Sequence, residues 1–197
     1  MHPLELAKKY DKIAHWWNDK HQSSNYGVEQ FNKALEFCTN HKNALDIGCG
    51  AGGRFINILE NKSFSITGLD VSKEMISLAK KNHNNQQFIN EDICTWQSDE
   101  KFDFIVAWDS IFHLPLNEQK NVIEKMANLL NDKGVVLYTF GDECGEHEDS
   151  WLDDTFYYSS IGINENINTL INSGLSVLHV ELDQYPQKHV YIIATKK

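Results

Sequence analysis

A cluster of glycines directly after a short apolar segment is the feature that most limits what this chain can fold into. Residues 44–47 are typical of a buried β-strand, and a helix is predicted over residues 54–61. The connection between them contains Gly48, Gly50, Gly52 and Gly53. Glycine accepts positive φ angles and lets a ligand approach the backbone closely. The segment therefore predicts a tight strand-to-helix turn that lies against a bound ligand.

Strands and helices alternate along the chain after this turn. Five strands are predicted at residues 44–47, 64–69, 87–90, 102–107 and 134–140. Two further strands, at 175–182 and 190–195, are close in sequence and are predicted to form an antiparallel hairpin. This order predicts an α/β fold, in which a doubly wound, mostly parallel seven-stranded sheet ends in the hairpin.

The length of 197 residues corresponds to a single domain, and no linker or repeat divides it. Within this domain, residues 1–41 are predicted to be a helical cap and residues 42–140 a core that binds the ligand. Residues 141–197 are predicted to form a loop on the substrate side, a helix and the terminal hairpin.

The chain is acidic, with 18 basic and 28 acidic residues and a formal net charge of −10. Such a surface repels phosphate backbones and anionic lipids, which argues against nucleic acid or a membrane as partner. Apolar runs reach only about five residues, whereas a membrane-spanning helix needs ~20. The four cysteines, at positions 38, 49, 94 and 144, form no C-x-x-C motif. We therefore expect a cytoplasmic protein without a bound metal.

An acidic residue follows the second predicted strand at the spacing found in nucleotide-binding sheets. Asp70 lies about 20 residues after Gly48, which suits a carboxylate that accepts both hydroxyls of a ribose. The glycines fit both G-x-G-x-x-G, typical of nicotinamide-dependent oxidoreductases, and D-x-G-x-G-x-G. Two observations count against an oxidoreductase. No tyrosine is followed by lysine four residues later, as short-chain dehydrogenases require, and the chain is too short for a separate substrate domain.

Four blocks in a fixed order carry a resemblance to a known family: Leu45–Gly52, Gly68–Ser72, Glu91–Ile93 and Phe102–Ala107. Over about residues 43–140 the chain resembles the small, type 11-like group of class I S-adenosylmethionine-dependent methyltransferases. The resemblance implies a Rossmann-like methyltransferase fold, S-adenosylmethionine as cofactor and methyl transfer by in-line displacement. A non-catalytic relative that binds S-adenosylmethionine is the alternative.

The resemblance also implies roles for residues of the glycine turn. Asp46 would help to order the turn, and Gly48, Gly50 and Gly52 would lie against the methionine part of the cofactor. Arg54, the only arginine of the chain, follows the turn where many relatives have small or polar residues. Because guanidinium groups pair well with carboxylates, we expect Arg54 to bind the cofactor's carboxylate or the acceptor.

Three later segments complete the site that the resemblance implies. Asp70, with Val71 beside it, would hold the ribose hydroxyls. Asp92 would accept a hydrogen bond from the adenine amine, and the Ile93 backbone N–H would donate one to the ring. Ala107-Trp108, at the end of the fourth strand, would line the cofactor near its sulfur, and the N-terminal helical region would fold over it.

The segment after the fourth strand contains the two candidate catalytic bases, His113 and Asp109. Each has a structural alternative, because His113 lies between the apolar Phe112 and Leu114, and Asp109 is a residue type that caps turns. The remaining histidines, among them His83, give no functional signal in the sequence.

Residues 142–154 contain seven carboxylates and are predicted to form a solvated loop, with recognition of a cation as the alternative. The methyl acceptor is expected to be a small molecule, since the chain has no additional module to bind a macromolecule. Aromatic side chains for its pocket are available from residues 1–37, 108–116 and 142–160.

Overall fold

The computed structural model describes residues 1–197 and contains nine strands and six α-helices. The strands are β1 (Asn43–Ile47), β2 (Ser65–Asp70), β3 (Gln87–Asn90), β4 (Phe102–Ala107), β5 (Leu130–Gly141), β6 (Cys144–Trp151), β7 (Asp154–Ile161), β8 (Leu175–Leu182) and β9 (His189–Lys196). The helices are α1 (Pro3–His21), α2 (Val28–Glu36), α3 (Arg54–Asn61), α4 (Lys73–Asn82), α5 (Gln119–Leu129) and α6 (Gly162–Asn172).

Seven of the strands form one sheet in the order β3-β2-β1-β4-β5-β9-β8. The first five strands run parallel to their neighbours, whereas β9 is antiparallel to both β5 and β8. The predicted fold class is thus confirmed, including the terminal antiparallel hairpin. The strand order changes direction beside β1, so the carboxyl ends of β1 and β4 border the crevice in which open α/β sheets bind ligands.

Helices cover both faces of this sheet because successive strand residues point to opposite sides. On one face, Ile105 and Val136 pack with apolar residues of α5 and α6. On the other face, Phe104 and Val135 pack with residues of α2, α3 and α4. All six residues of β4 are buried, as expected for a central strand with helices on both sides. None of the helices is both long and apolar enough to cross a membrane.

The prediction of a loop over residues 142–154 is wrong, because most of this segment belongs to a second, two-stranded sheet. β6 pairs in antiparallel fashion with β7, from Cys144 opposite Ile161 to Trp151 opposite Asp154. Every residue of β6 except Trp151 is exposed, so β6 shows none of the apolar alternation by which a strand is recognised. The buried Phe156 of β7 attaches the hairpin to the rest of the protein.

Several of the carboxylates in this segment have partners within the chain. Asp154 forms ion pairs with Lys9 and Lys12 of α1. The Tyr157 hydroxyl donates to Glu146 (2.6 Å). No group of three or more histidine, cysteine or acidic side chains is arranged to hold a metal ion.

Candidate functional site

A cavity lies over the carboxyl ends of β1, β2 and β4 and contains about 760 Å³ of empty space, its open mouth included. Its walls come from the glycine turn, the segments after β2, β3 and β4, and the inner face of α1. The predicted cofactor residues that line it are Gly48, Gly50, Asp70, Val71, Asp92, Ile93 and Trp108.

The other four predicted residues lie elsewhere. Asp46, Gly52 and Arg54 line a smaller adjoining cavity, which shares Trp108 with the main one. Ala107 is fully buried in the sheet and lines neither cavity. The structure therefore divides the predicted set into two neighbouring groups and removes Ala107 from direct contact with either cavity.

The turn after β1 requires glycine for steric reasons. Gly48 has a φ of +73°, and a Cβ atom there would lie 2.3 Å from Cβ of Ser110. Gly52 has a φ of +77°, and its Cβ would lie 2.6 Å from Cδ2 of His83. The backbone therefore passes close to two neighbouring segments, and the turn exposes peptide groups rather than side chains to the main cavity.

Asp70 joins the glycine turn to the start of α4. Its Oδ2 accepts a hydrogen bond from the Gly50 backbone N–H (2.9 Å), and its Oδ1 accepts one from the Ser72 N–H (2.8 Å). Burial raises the pKa of the Asp70 carboxyl to about 6, although these two N–H groups favour the ionised form. The carboxylate borders the cavity and is placed to accept hydrogen bonds from hydroxyl groups.

Asp46 and Arg54 both line the smaller cavity. Burial raises the pKa of Asp46 to about 7, an effect that Arg54 opposes and Asp70 adds to. The Arg54 Nε–H donates to the backbone carbonyl of Tyr26, and its guanidinium carbon lies 4.4 Å from the ring centroid of Phe55. One edge of the guanidinium is thus anchored to the chain while the group lines the cavity.

A lysine of α5 fixes the segment after β3. Lys125 Nζ donates to the backbone carbonyls of Ile93 (2.7 Å), Cys94 (3.0 Å) and Trp96 (2.9 Å). Within the same segment, Asp92 Oδ1 accepts from the Cys94 N–H (2.9 Å). These bonds hold Asp92 and Ile93 at the cavity wall. The sequence carries no signal for Lys125, because an isolated lysine on a helix normally faces solvent.

Three buried polar atoms near the glycine turn lack a hydrogen-bond partner. They are Nε1 of Trp108, Oγ of Ser110 and Nδ1 of His21. Trp108 and Ser110 line the main cavity, and Trp108 and His21 line the smaller one. Because buried polar atoms in proteins almost always have partners, these three are available to hydrogen-bond a polar ligand between the turn and the residues after β4.

His113 is buried and forms hydrogen bonds through both ring nitrogens. Nδ1 lies 2.7 Å from the backbone carbonyl of Tyr157, an acceptor, so Nδ1 carries the proton. Nε2 therefore accepts from the hydroxyl of Tyr10 on α1, at 2.8 Å. Burial lowers the pKa of His113 to about 4, so the ring is neutral at physiological pH. The candidate base thus has its free lone pair occupied by Tyr10.

We expect Tyr10→Phe to lower the free energy of unfolding by about 1–3 kcal/mol, because it leaves Nε2 of His113 buried without a partner. Urea denaturation measures the change. Tyr185→Phe is the matched control, since Tyr185 is 83% exposed and its loss of a hydroxyl should cost less than ~0.5 kcal/mol. Equal stability of Tyr10→Phe and the parent would show that the hydrogen bond to α1 does not form.

Two histidines without a signal in the sequence contact residues of the site. His83 is buried and its Nε2 accepts from the Gly53 backbone N–H (3.3 Å), while Nδ1 lies 3.0 Å from Glu60. It therefore supports the glycine turn from behind. His189 contacts Asp109, the second candidate base, which lines both cavities. Neither contact follows from sequence spacing, because each joins segments that are far apart in the chain.

Similarity to known proteins agrees with this geometry. A family model described as a methyltransferase domain matches residues 20–175. The chain is 31% identical over 137 residues to the phosphoethanolamine N-methyltransferase of Plasmodium falciparum, covering 66% of this chain and 51% of that protein. It is 29% identical over 147 residues to the ubiquinone biosynthesis O-methyltransferase of Coxiella burnetii, covering 68% and 60%. The chain thus spans only about half to three fifths of these relatives' length.

The fold is also shared with solved structures. The crystal structure of a S-adenosylmethionine-dependent methyltransferase from Clostridium acetobutylicum ATCC 824 superimposes with a TM-score of 0.73. The alignment covers 95% of this chain and 99% of that one at 14% sequence identity. At this level of identity the match supports the architecture, whereas the roles of single residues depend on the geometry described above.

Proposed function

Because the chain belongs to the methyltransferase domain family, we propose that it transfers the methyl group of S-adenosylmethionine to a small-molecule acceptor. The observation that carries this proposal is the cavity at the carboxyl ends of the strands, where Gly48, Asp70 and Asp92 meet. A nucleoside with an amino-acid tail needs a carboxylate for its ribose, a polar segment for its base and exposed peptide groups for its tail. The residues present fit all three requirements.

Each part of the cofactor has candidate partners in the chain. Asp70 accepts from the ribose hydroxyls, and Asp92 together with the Ile93 N–H binds the adenine edge. The amino-acid tail lies along the glycine turn, where the unpartnered Ser110 hydroxyl offers a hydrogen bond and Arg54 a positive charge. When bound, S-adenosylmethionine supplies a methyl group on a sulfonium, an electrophile whose leaving group departs as a neutral thioether.

The protein's contribution to such a transfer is mainly alignment and exclusion of water. The inner face of α1 provides Leu6, Tyr10 and Trp17 to the cavity wall. Tyr10 is hydrogen-bonded to His113, and His113 is hydrogen-bonded to the backbone carbonyl of Tyr157 in the β6–β7 hairpin. In this arrangement His113 positions the wall of the site and keeps α1 closed over it, and it does not present a free base to the acceptor.

We expect S-adenosylhomocysteine to bind in this cavity, and isothermal titration calorimetry tests the cofactor assignment directly. A single site that releases heat with S-adenosylhomocysteine, and none with a nicotinamide dinucleotide, is the expected result. Binding of the dinucleotide together with no heat from millimolar S-adenosylhomocysteine would overturn the proposal in favour of an oxidoreductase.

The acceptor is proposed to be small and to lack a phosphate group. No lysine or arginine lines the main cavity, and Lys188, in a second cavity beside β6, pairs with Glu143. Phosphate groups are commonly bound by such cations, and Arg54 of the smaller cavity is assigned above to the cofactor's tail, so the acceptor in the name of the Plasmodium relative is not carried over to this chain. The aromatic walls and the net charge of −10 favour a compact acceptor over a polyanion.

Methyl-labelled S-adenosylmethionine, offered with small metabolites beside tRNA, DNA and protein extracts, distinguishes the acceptor classes. Label is expected in a small-molecule fraction. Label only in a macromolecular fraction would contradict the proposed acceptor and leave the cofactor assignment intact. Cofactor binding without transfer to any fraction would favour the non-catalytic alternative. We place the protein in the cytoplasm, where its four free cysteines would remain reduced.

A further inference from the structure

Asp109 has an unusual backbone conformation at the end of β4. Its φ is +50°, in the left-handed region that residues other than glycine rarely adopt. Two bonds to Thr139 of the neighbouring β5 hold it there. The Asp109 N–H donates to Thr139 Oγ1 (2.8 Å), and the threonine hydroxyl donates to Asp109 Oδ1 (3.2 Å). The fold therefore holds Asp109 in this conformation, and Asp109 borders both cavities.

Behind this carboxylate lies an imidazole between two acidic groups. Nε2 of His189 is 3.0 Å from Asp109 Oδ1, and Nδ1 is 2.6 Å from Asp183 Oδ1. The exposed fractions of the side chains are 23% for Asp109, 13% for His189 and 5% for Asp183. Burial lowers the pKa of His189, but the two carboxylates outweigh it and raise that pKa above its usual value. An imidazolium in this position satisfies both acids.

The two carboxylates, Asp109 and Asp183, differ in how many of their hydrogen-bond acceptor sites remain free. Both carboxylate oxygens of Asp183 have hydrogen-bond partners, because the second oxygen accepts from Gln30 Nε2 (3.0 Å). Asp109 uses Oδ1 for Thr139 and His189, and the Tyr26 hydroxyl lies beside the same carboxylate as a further donor. Gln184 and the ring of Tyr26 complete the surroundings of His189. An ionised carboxylate offers about four acceptor sites, so Asp109, which borders the cavities, can still accept a further hydrogen bond.

The order of the strands determines which part of the site this acceptor faces. In the sequence β3-β2-β1-β4-β5, Asp92 and Asp70 follow β3 and β2, and the glycine turn follows β1. Asp109 follows β4, on the far side of the turn from the two nucleoside-binding carboxylates. If the nucleoside lies over β2 and β3, as proposed above, the reacting end of the cofactor points towards β4.

We propose that Asp109 holds the methyl acceptor by accepting a hydrogen bond from an N–H or O–H group at or beside the atom that is methylated. His189, with Asp183 behind it, is a positioning residue that fixes the Asp109 carboxylate and balances one of the two negative charges. This inference rests on the proposed function. It restricts the acceptor class to amines and hydroxyl compounds. A fixed carboxylate repels an anionic reacting group, and it forms no hydrogen bond with a group that lacks a donor.

Sinefungin tests this assignment without a known acceptor. In this analogue a carbon that carries a primary ammonium replaces the methylated sulfur of the cofactor, so the ammonium enters the acceptor region. A charge-assisted bond to Asp109 should make the parent protein bind sinefungin at least about tenfold more tightly than S-adenosylhomocysteine. Calorimetry gives both dissociation constants, and their ratio is the quantity compared between variants.

Asp109→Asn is expected to abolish the preference for sinefungin over S-adenosylhomocysteine. Asparagine is the appropriate replacement because it tolerates the left-handed conformation, so the variant should fold, as circular dichroism checks. His189→Gln should reduce the preference, whereas His179→Gln, on β8 and outside both cavities, should leave it unchanged.

The possible outcomes separate the inference from the function on which it rests. If S-adenosylhomocysteine binds but Asp109→Asn keeps the parent's preference, Asp109 does not face the reacting group and the inference is wrong. If Asp109→Asn loses the preference and His189→Gln retains it fully, the positioning role of His189 is wrong. If S-adenosylhomocysteine does not bind to the parent, the proposed function itself fails.

Discussion

Replacing Asp70 with alanine is expected to weaken the binding of S-adenosylhomocysteine at least tenfold in a protein that remains folded. The two ribose hydroxyls would lose their common acceptor in a partly buried site, at a cost of about 1–3 kcal/mol for each group. The variant also loses the bonds to the backbone N–H groups of Gly50 and Ser72, so the turn becomes less ordered. Calorimetry measures the affinity, with the exposed Asp99→Ala as a control that should bind like the parent. Unchanged affinity of a folded Asp70→Ala protein would show that the ribose lies elsewhere.

The affinity for S-adenosylhomocysteine should also depend on pH, and the raised pKa of Asp70 determines in which direction. Because burial raises the pKa of Asp70 to about 6, the carboxyl becomes protonated as the pH falls through 6 and then accepts hydrogen bonds less well. We expect the parent's affinity for S-adenosylhomocysteine to fall as the pH drops through this range. Asp70→Asn should lack this component, and because the charge of Asp70 helps to raise the pKa of Asp46, any contribution of Asp46 should move to lower pH in this variant. Identical pH profiles of parent and Asp70→Asn would contradict the assignment.

The parts of the fold that could be predicted from the sequence are those with local causes. The fourth strand and the helix after the glycine turn have the predicted bounds, 102–107 and 54–61. One is a continuous apolar segment, and the other follows a turn that only glycine permits. The position of the proposed cofactor residues around one cavity could be predicted for a related reason. Asp70 and Asp92 follow successive parallel strands, and the carboxyl ends of such strands lie at one edge of the sheet.

The contacts that could not be predicted join distant segments through single side chains. Tyr10 and His113 are separated by about a hundred residues, and nothing in the surroundings of either indicates the other. His189 lies at the edge of a strand whose pattern is explained by packing alone, so its bond to Asp109 carries no sequence signal. The β6–β7 hairpin was missed because β6 has no buried face. In each case the determining information is three-dimensional proximity rather than periodicity.

Replacing Gly48 with alanine is expected to be the most damaging single change to the site. The new Cβ would lie 2.3 Å from Cβ of Ser110, a contact that requires the backbone to move, and the residue would also be held at a φ of +73°. Left-handed strain and overpacking each cost about 1–3 kcal/mol. We expect the free energy of unfolding in urea to fall by the sum of the two, and binding of S-adenosylhomocysteine to become undetectable by calorimetry.

Gly174→Ala separates these two causes. Gly174 has a similar φ of +84°, but no atom lies within 4 Å of the position of its Cβ. This variant therefore carries only the conformational cost of about 1–2 kcal/mol, and it should bind S-adenosylhomocysteine like the parent because it lies at the end of α6. The difference between the two variants measures the contact with Ser110. An equal loss of stability in both would mean that the positive φ alone requires glycine at position 48, and that the turn after β1 has room for a side chain beside the cofactor.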